Sequence, residues 1–179
     1  MATQTRELPK LLQWLTGFVA VASAFLAMDS LRLFAESPLL DFVITVQNHY
    51  YYALMGLLLP LCFLIYPSFR GPKSYWLDSV LALATFGACC FFFFNAETML
   101  DYGWEFLAPS YAVYVSYLLW ALIMEGVRRS GGWVLFFLVL IFSLYPVVAD
   151  KLPGPISGMS STLSETASYH VMSIESILG

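Results

Sequence analysis

Charged side chains are scarce in this chain of 179 residues: they make up 11% of it, whereas hydrophobic residues make up 60%. So little polar material cannot cover the surface of a water-soluble globule, and we exclude a separate soluble domain. The eight Lys and Arg are scattered and the net charge is −4. Because binding to a phosphate backbone requires a clustered basic surface, we also exclude a nucleic-acid partner.

Cysteine and histidine are also scarce, with three and two residues. Cys62, Cys89 and Cys90 all lie inside apolar stretches, which disfavours structural disulfides, and no His stands near them to complete a metal set. We therefore predict no metal and no cofactor. His49 and His170 are far apart, and no Ser, His and acid set lies at one membrane depth. The chain is accordingly predicted not to be an enzyme.

Long apolar runs, in contrast, are abundant. Each is near the roughly 17–25 residues that a helix needs to cross the hydrocarbon of a bilayer. Helices or closed barrels alone satisfy their backbone groups there, and these runs lack the alternation typical of a barrel. The sequence therefore predicts an all-α integral membrane protein with about five transmembrane helices. The five runs are Leu11–Met28, Tyr50–Tyr66, Leu77–Phe94, Leu107–Met124 and Trp133–Val148.

Cations mark alternate loops and indicate the orientation of the chain. They precede the first run and occupy the second and fourth loops, whereas the other loops are acidic or nearly neutral. The positive-inside rule then places the N terminus in the cytoplasm and the segment after Val148 outside. We favour an uncleaved first run over a secretory signal, since cleavage after Ala24 would reverse this pattern. The cations concerned are Arg6, Lys10, Arg70, Lys73, Arg128 and Arg129.

Polar residues at the outer ends of two runs are candidates for a functional role. Asp29 and Arg32 are three residues apart, so on a helix they share a face and can pair, which would extend the first helix to about Phe34. An ion path is the functional alternative to this structural role. Asn95 and Glu97 follow the third run, where we expect a solvated helix end, with a ligand contact as the alternative.

At the inner end of the fourth run, Glu125 has the spacing to pair with Arg128 and Arg129 on one helix face. Gly131 and Gly132 follow directly and permit a tight return. We therefore predict that the fourth and fifth runs form a helical hairpin.

After the fifth run, Pro153-Gly154-Pro155 breaks the helix, and Thr162 with Glu165 has the spacing of a capping box. Apolar residues then recur every three or four positions as far as Leu178. This pattern predicts an amphipathic helix, about 24 Å long at 1.5 Å per residue, lying along the outer membrane surface. Its polar face carries Glu165 and Glu175 but no cation, which favours packing on a protein partner or an adjoining domain over binding to anionic lipid.

Several short motifs stand out from about residue 50 onward. They are Leu64-Ile65-Tyr66-Pro67, Asn95-x-Glu97 before Gly103, Arg128-Arg129 with Gly132-Trp133, the run ending at Tyr145, Leu152-Pro153-Gly154, Tyr169-His170, and Ser173-Ile174-Glu175-Ser176-Ile177-Leu178-Gly179. Together they resemble the N-terminal part of fused TRAP transporter permeases of the TAXI type. The likeness extends over most of the chain from about residue 50, although Ser176 stands where the family usually has Gly.

The resemblance implies a role in ion-coupled transport of organic acids. Residues 1–130 would form a small four-helix module, and residues 131–179 the first helix and surface arm of a large permease module. The implied partners are the lipid bilayer, that large module or subunit, and a secreted periplasmic substrate-binding protein, in a bacterial or archaeal cytoplasmic (inner) membrane. The coupling ion, sodium in this family, would bind in a permease portion that we expect to lie outside this chain.

The candidate structural or partner-contact residues are Asp29, Arg32, Asn95, Glu97, Arg128, Arg129, Gly132, Tyr145, His170 and Glu175. A free-standing small membrane protein, either an assembly factor or an intramembrane enzyme acting on lipid, is the alternative to a transporter subunit. An ion channel is disfavoured because no run presents a repeated polar face.

Overall fold

A computed structural model describes residues 6, 9–31, 33, 40, 44–69, 73–173 and 175. Every regular element within these ranges is helical, which confirms the predicted all-α class. The described chain divides into two compact units, Met1–Thr98 and Met99–Gly179. The helices are α1 (Lys10–Ser30), α2 (Gln47–Ile65), α3 (Lys73–Phe94), α4 (Ala96–Asp101), α5 (Trp104–Leu107), α6 (Ser110–Val148) and α7 (Leu163–Met172), with short 3-10 turns at Ala149–Lys151 and Gly154–Ile156.

Four helical segments among the described residues are long and apolar enough to span a membrane, judged by length and composition. The sequence predicts five. The difference arises because the fourth and fifth apolar runs follow each other directly within Ser110–Lys151, where they meet at Gly132, whose backbone angles are not helical. The four segments are Lys10–Ser30, Gln47–Ile65, Ser74–Phe94 and Ser110–Lys151.

The segment Ser110–Lys151 reverses direction at Gly132, whose φ of 78° and ψ of −176° are not helical. One hydrogen bond shows this reversal: the indole nitrogen of Trp120 lies 2.9 Å from the hydroxyl of Ser143, 23 residues later. In a straight helix, 23 residues would separate these groups by about 35 Å. The two halves of α6 therefore lie against each other as a hairpin, as the glycine pair predicts. Since a positive φ costs non-glycine residues energy, Gly132 suits this position.

In the first unit, α2 and α3 form the most extensive helix pair. Gly56 of α2 allows close approach, because a Cβ added there would lie 3.1 Å from the Cβ of Cys89 on α3. The rings of Tyr52 and Phe92 stack across the same interface with centroids 5.3 Å apart, and both side chains are buried. Dispersion contacts between these large side chains hold the pair together.

Helix α1 packs on α2 through a small apolar cluster that includes Leu26, Ile44 and Tyr50. The predicted extension of the first helix to about Phe34 is wrong, because α1 ends at Ser30. The backbone turns away there: the N–H of Leu33 donates to the carbonyl of Met28, a closure typical of helix ends.

The C-terminal helix α7 begins where the sequence predicts but ends earlier. Its capping box is present, since the Thr162 hydroxyl accepts from the Glu165 N–H and the Glu165 carboxylate accepts from the Thr162 N–H. The helix stops at Met172, and Ser173 is extended with ψ 140°. The hydroxyl of Ser173 accepts from the N–H of Glu175, a local bond that competes with continued helix.

The predicted position of this helix along the outer membrane surface stays a prediction, whereas its packing within the protein is described. Only its first turn is exposed, whereas Thr166, Ala167, Ser168, His170 and Val171 are buried. The helix packs on α6 and α5 of its own unit. Residues 174 and 176–179, which belong to the predicted amphipathic stretch, lie outside the described residues.

The predicted boundary between residues 130 and 131 separates two functional modules, whereas the division after Thr98 separates two compact units. The two boundaries describe different properties, so the predicted one stays a prediction.

Candidate functional site

The hairpin of α6 carries a cluster of charged residues at its turn. One carboxylate oxygen of Glu125 accepts from the guanidinium groups of both Arg128 and Arg129 at 2.7 Å, and the other accepts from Arg128 at 2.7 Å. Arg129 is buried, with 6% of its surface exposed. The guanidinium of Arg128 lies 5.1 Å from the ring centre of Trp133, within cation–π range. The pairing expected from the sequence spacing is therefore present.

The other end of the hairpin carries a buried polar junction that joins three helical segments. His170 of α7 places its Nε2 atom 2.7 Å from the backbone carbonyl oxygen of Ser143. Because a carbonyl oxygen only accepts, Nε2 must carry a proton in this contact. Trp120, from the first half of α6, donates its indole N–H to the hydroxyl of the same Ser143. All three side chains are buried, so the junction fixes α7 to both arms of the hairpin.

The segment after α6 folds back over the end of that helix. The hydroxyl of Tyr145 donates to the carbonyl of Ile156 at 2.7 Å. The N–H groups of Ser161 and Gly158 donate to the carbonyls of Pro146 and Ala149, each at 3.0 Å. Carbonyls at a helix C-terminus have no partner within the helix, so these bonds satisfy them. Tyr145, a predicted candidate, thus fastens the connecting segment.

A pocket of about 340 Å³ opens beside this junction, within the second unit. Acidic and aromatic side chains contribute to its walls, and His170 is among its lining residues. It is lined by Glu105, Phe106, Pro146, Ser161, Glu165, Thr166, Tyr169 and His170.

Glu165, which lines this pocket, has a pKa below the usual value for a glutamate. The backbone N–H of Thr162 is the main cause, and its side chain contributes further, because both hydrogen bonds favour the ionised carboxylate. Glu165 therefore stays charged at neutral pH.

The first unit contains a polar cluster around Asp78, a residue that sequence analysis did not single out. Its fully buried carboxylate accepts from Arg6 at 2.7 Å, from the Ser74 hydroxyl at 2.6 Å and from the Ser68 hydroxyl at 2.8 Å. Arg6 also lies over the ring of Tyr75, 3.8 Å from its centre. The available sequence signal was an Asp inside an apolar run with Ser four residues before it.

Asp29 is buried at the C-terminal end of α1 and has partners among the described residues. Its carboxylate accepts from the hydroxyl of Tyr50 at 3.0 Å and from the N–H of Leu40 at 3.3 Å. Arg32, the predicted partner, lies outside the described residues. The contacts tie the end of α1 to the start of α2.

Asn95 and Glu97 lie at the end of α3 and the start of α4 and make separate contacts. The amide of Asn95 donates to the carbonyl of Phe91 at 2.7 Å, which closes the last turn of α3. The carboxylate of Glu97 accepts a short hydrogen bond from the hydroxyl of Thr45. Glu175, another predicted candidate, is exposed and its backbone N–H donates to Ser173.

The structure thus brings Tyr145 and His170 to one end of the α6 hairpin and Arg128, Arg129 and Gly132 to the other. The separation along the helix is about 20 Å at 1.5 Å per residue. No group of three or more His, Cys, Asp or Glu that could hold a metal ion occurs among the described residues. Comparisons of the chain with models of known protein families, with curated proteins and with solved structures found no match.

Proposed function

We propose that this protein is a non-enzymatic, multi-pass membrane module that acts as a scaffold in a TRAP-type secondary transporter for organic acids. In this proposal it sits in a bacterial or archaeal cytoplasmic membrane, with its N terminus in the cytoplasm and the segment after α6 outside. A large permease module holds the substrate and coupling ion, and a secreted binding protein delivers the substrate.

Membrane insertion is supported by large apolar side chains that the fold leaves uncovered. Leu11 and Trp14 of α1 are 84% and 81% exposed, and Phe18 of the same helix is 72% exposed. Soluble monomers rarely expose contiguous apolar patches of this kind. Lipid would cover these side chains without cost, since its hydrocarbon is as apolar as they are.

The observation that carries the transporter proposal is the coincidence of the family-like motifs with the joints of the α6 hairpin. Arg128, Arg129 and Gly132 form its turn, while Tyr145 and His170 fasten its other end. A scaffold requires rigid joints between spans, and these residues supply them. Their positions therefore support a module in which the fourth span continues directly into the first helix of a permease.

Co-purification from native membranes tests this proposal. We expect an affinity-tagged chain to bring down a multi-span permease, and the pair to transport an organic acid in proteoliposomes together with its binding protein. The tagged chain alone should not transport. His170→Ala should reduce co-purification, whereas His49→Ala, a change of the same residue type in the other unit, should leave it intact. Transport or catalysis by the isolated chain would contradict the proposal.

A further inference from the structure

We propose that the pocket of the second unit binds an organic ammonium ion, carried either by a small dissolved amine or by a lipid headgroup. The two sources share the same recognition chemistry. The lipid source rests on the proposed membrane insertion, whereas the dissolved source does not.

The size and form of the pocket suit a small organic ligand. Its volume of about 340 Å³ falls in the range of roughly 300–1,000 Å³ that is typical of small-molecule sites. Helix α5 supplies Glu105 and Phe106, and α7 supplies Glu165 and Tyr169. Two helices thus place one carboxylate and one aromatic ring each around the same space.

The charge of the lining favours a cation. Glu105 and Glu165 both line the pocket, and no Lys or Arg stands among its described lining residues. Glu105 is half-buried, and it forms no ion pair within the described part of the chain. A partly desolvated carboxylate attracts a cation more strongly than one in bulk water does.

The aromatic walls favour an organic cation over a metal ion. The rings of Phe106 and Tyr169 lie 6.3 Å apart at an interplanar angle of 45°, so they form a corner. Ammonium groups bind aromatic faces within about 6 Å of the ring centre, and methylated ammonium groups are bound in this way in aromatic cages. Hard metal ions instead require several oxygen ligands, which ring carbons do not supply.

Titration of the purified full chain with choline tests the proposal directly. The protein is held in a maltoside detergent, which carries no ammonium group, and binding is followed by isothermal titration calorimetry at constant ionic strength. We expect saturable binding to the wild-type chain. Glu105→Gln should weaken it by about tenfold, a change of about 1.4 kcal/mol, and Tyr169→Leu should weaken it similarly.

Two further variants separate local recognition from general charge and from misfolding. Asp101→Asn removes the same charge from an exposed residue of α4 outside the pocket lining, so its affinity should stay within about twofold of wild type. Glu165→Gln keeps a side chain that can serve the capping box and should also weaken binding. If Glu105→Gln does not fold, Glu165→Gln carries the test.

The source of the ammonium is resolved in nanodiscs. If a lipid headgroup occupies the pocket, the apparent affinity for choline falls in discs that contain phosphatidylethanolamine relative to discs of equal surface charge in which a neutral glycolipid replaces it, and the fall is lost in Glu105→Gln. If a dissolved amine is the ligand, affinity is equal in both. The absence of saturable choline binding, an equal loss in Asp101→Asn, or displacement of choline by matched sodium or calcium salts would overturn the proposal. Failure here leaves the transporter proposal standing, because co-purification measures that proposal separately.

Discussion

The guanidinium of Arg6 lies 2.7 Å from the carboxylate of Asp78, a residue 72 positions later whose side chain is fully buried. This ion pair joins the segment before α1 to the first turns of α3. Breaking a buried pair by removing one partner leaves the other charge uncompensated, which costs about 3–5 kcal/mol.

The buried pair gives the first prediction. Asp78→Asn should lower the free energy of unfolding by about 3 kcal/mol, because Arg6 then stays buried without a counter-charge. Unfolding in detergent, followed by circular dichroism, measures the change. Arg128→Gln is the control: its side chain is about a quarter exposed and Glu125 keeps its second partner Arg129, so a smaller loss is expected. An equal loss of unfolding free energy in the two variants would contradict the claim that burial makes the Arg6–Asp78 pair the more important one for stability.

The hairpin turn gives the second prediction. Gly132→Ala should lower the free energy of unfolding by about 1–2 kcal/mol, since alanine is strained at a φ of 78°. Gly17→Ala is the matched control, because Gly17 is in the middle of α1 with nothing near an added Cβ. That control should be neutral or stabilising, as alanine is the better helix former. Thermal unfolding of both variants in the same detergent provides the comparison.

The buried junction of α7 gives the third prediction. His170→Ala removes the donor to Ser143 and leaves a gap beside Trp120, so we expect a loss of about 1–3 kcal/mol. The effect should be local: cleavage by an added protease between residues 157 and 161 should become faster, because α7, which follows this segment and anchors its end to α6, is held less firmly. A variant in which protease cleavage stays at the wild-type rate would show that the junction does not hold this segment.

The capping box of α7 gives the fourth prediction, which concerns pH. The folded pKa of Glu165 lies below its unfolded value of about 4.3. Its contribution to stability is therefore fully present above that unfolded pKa and is lost as pH falls through the folded pKa. Thermal unfolding measured from pH 7 to pH 3 should show this loss in the wild-type chain. Glu165→Gln should lack this component of the pH dependence, and an unchanged profile in that variant would contradict the assignment.

The helical class, the apolar runs and the hairpin return could be predicted from sequence, because each depends on neighbouring residues. The length of each apolar run matches the length of helix that is needed to cross a bilayer. The pair Gly131-Gly132 between two runs indicates that the chain reverses direction there. The capping box is equally local, since Thr162 and Glu165 are three residues apart.

Contacts between distant residues could not be predicted in the same way. The partners of Asp29 come from Tyr50 and Leu40, and those of Asp78 from Arg6 and Ser68. Each depends on which helix faces which, and apolar runs in a membrane protein carry little face-specific patterning. The end of α7 at Met172 could not be predicted, because an apolar repeat indicates which side of a helix is buried but not where the helix ends. The local hydrogen bond to the Ser173 hydroxyl leaves no such pattern.

The central claim is that the apolar helices span a membrane and that successive loops lie on opposite sides of it. Its most direct test is labelling of single cysteines in intact cells with an impermeant thiol reagent, in a background lacking Cys62, Cys89 and Cys90. The account predicts that cysteines introduced at Glu36, Asp101 and Ser157 react, whereas those at Arg70 and Ser130 react only after the cells are permeabilised. Labelling of the opposite set, or equal labelling at all five positions, would contradict it.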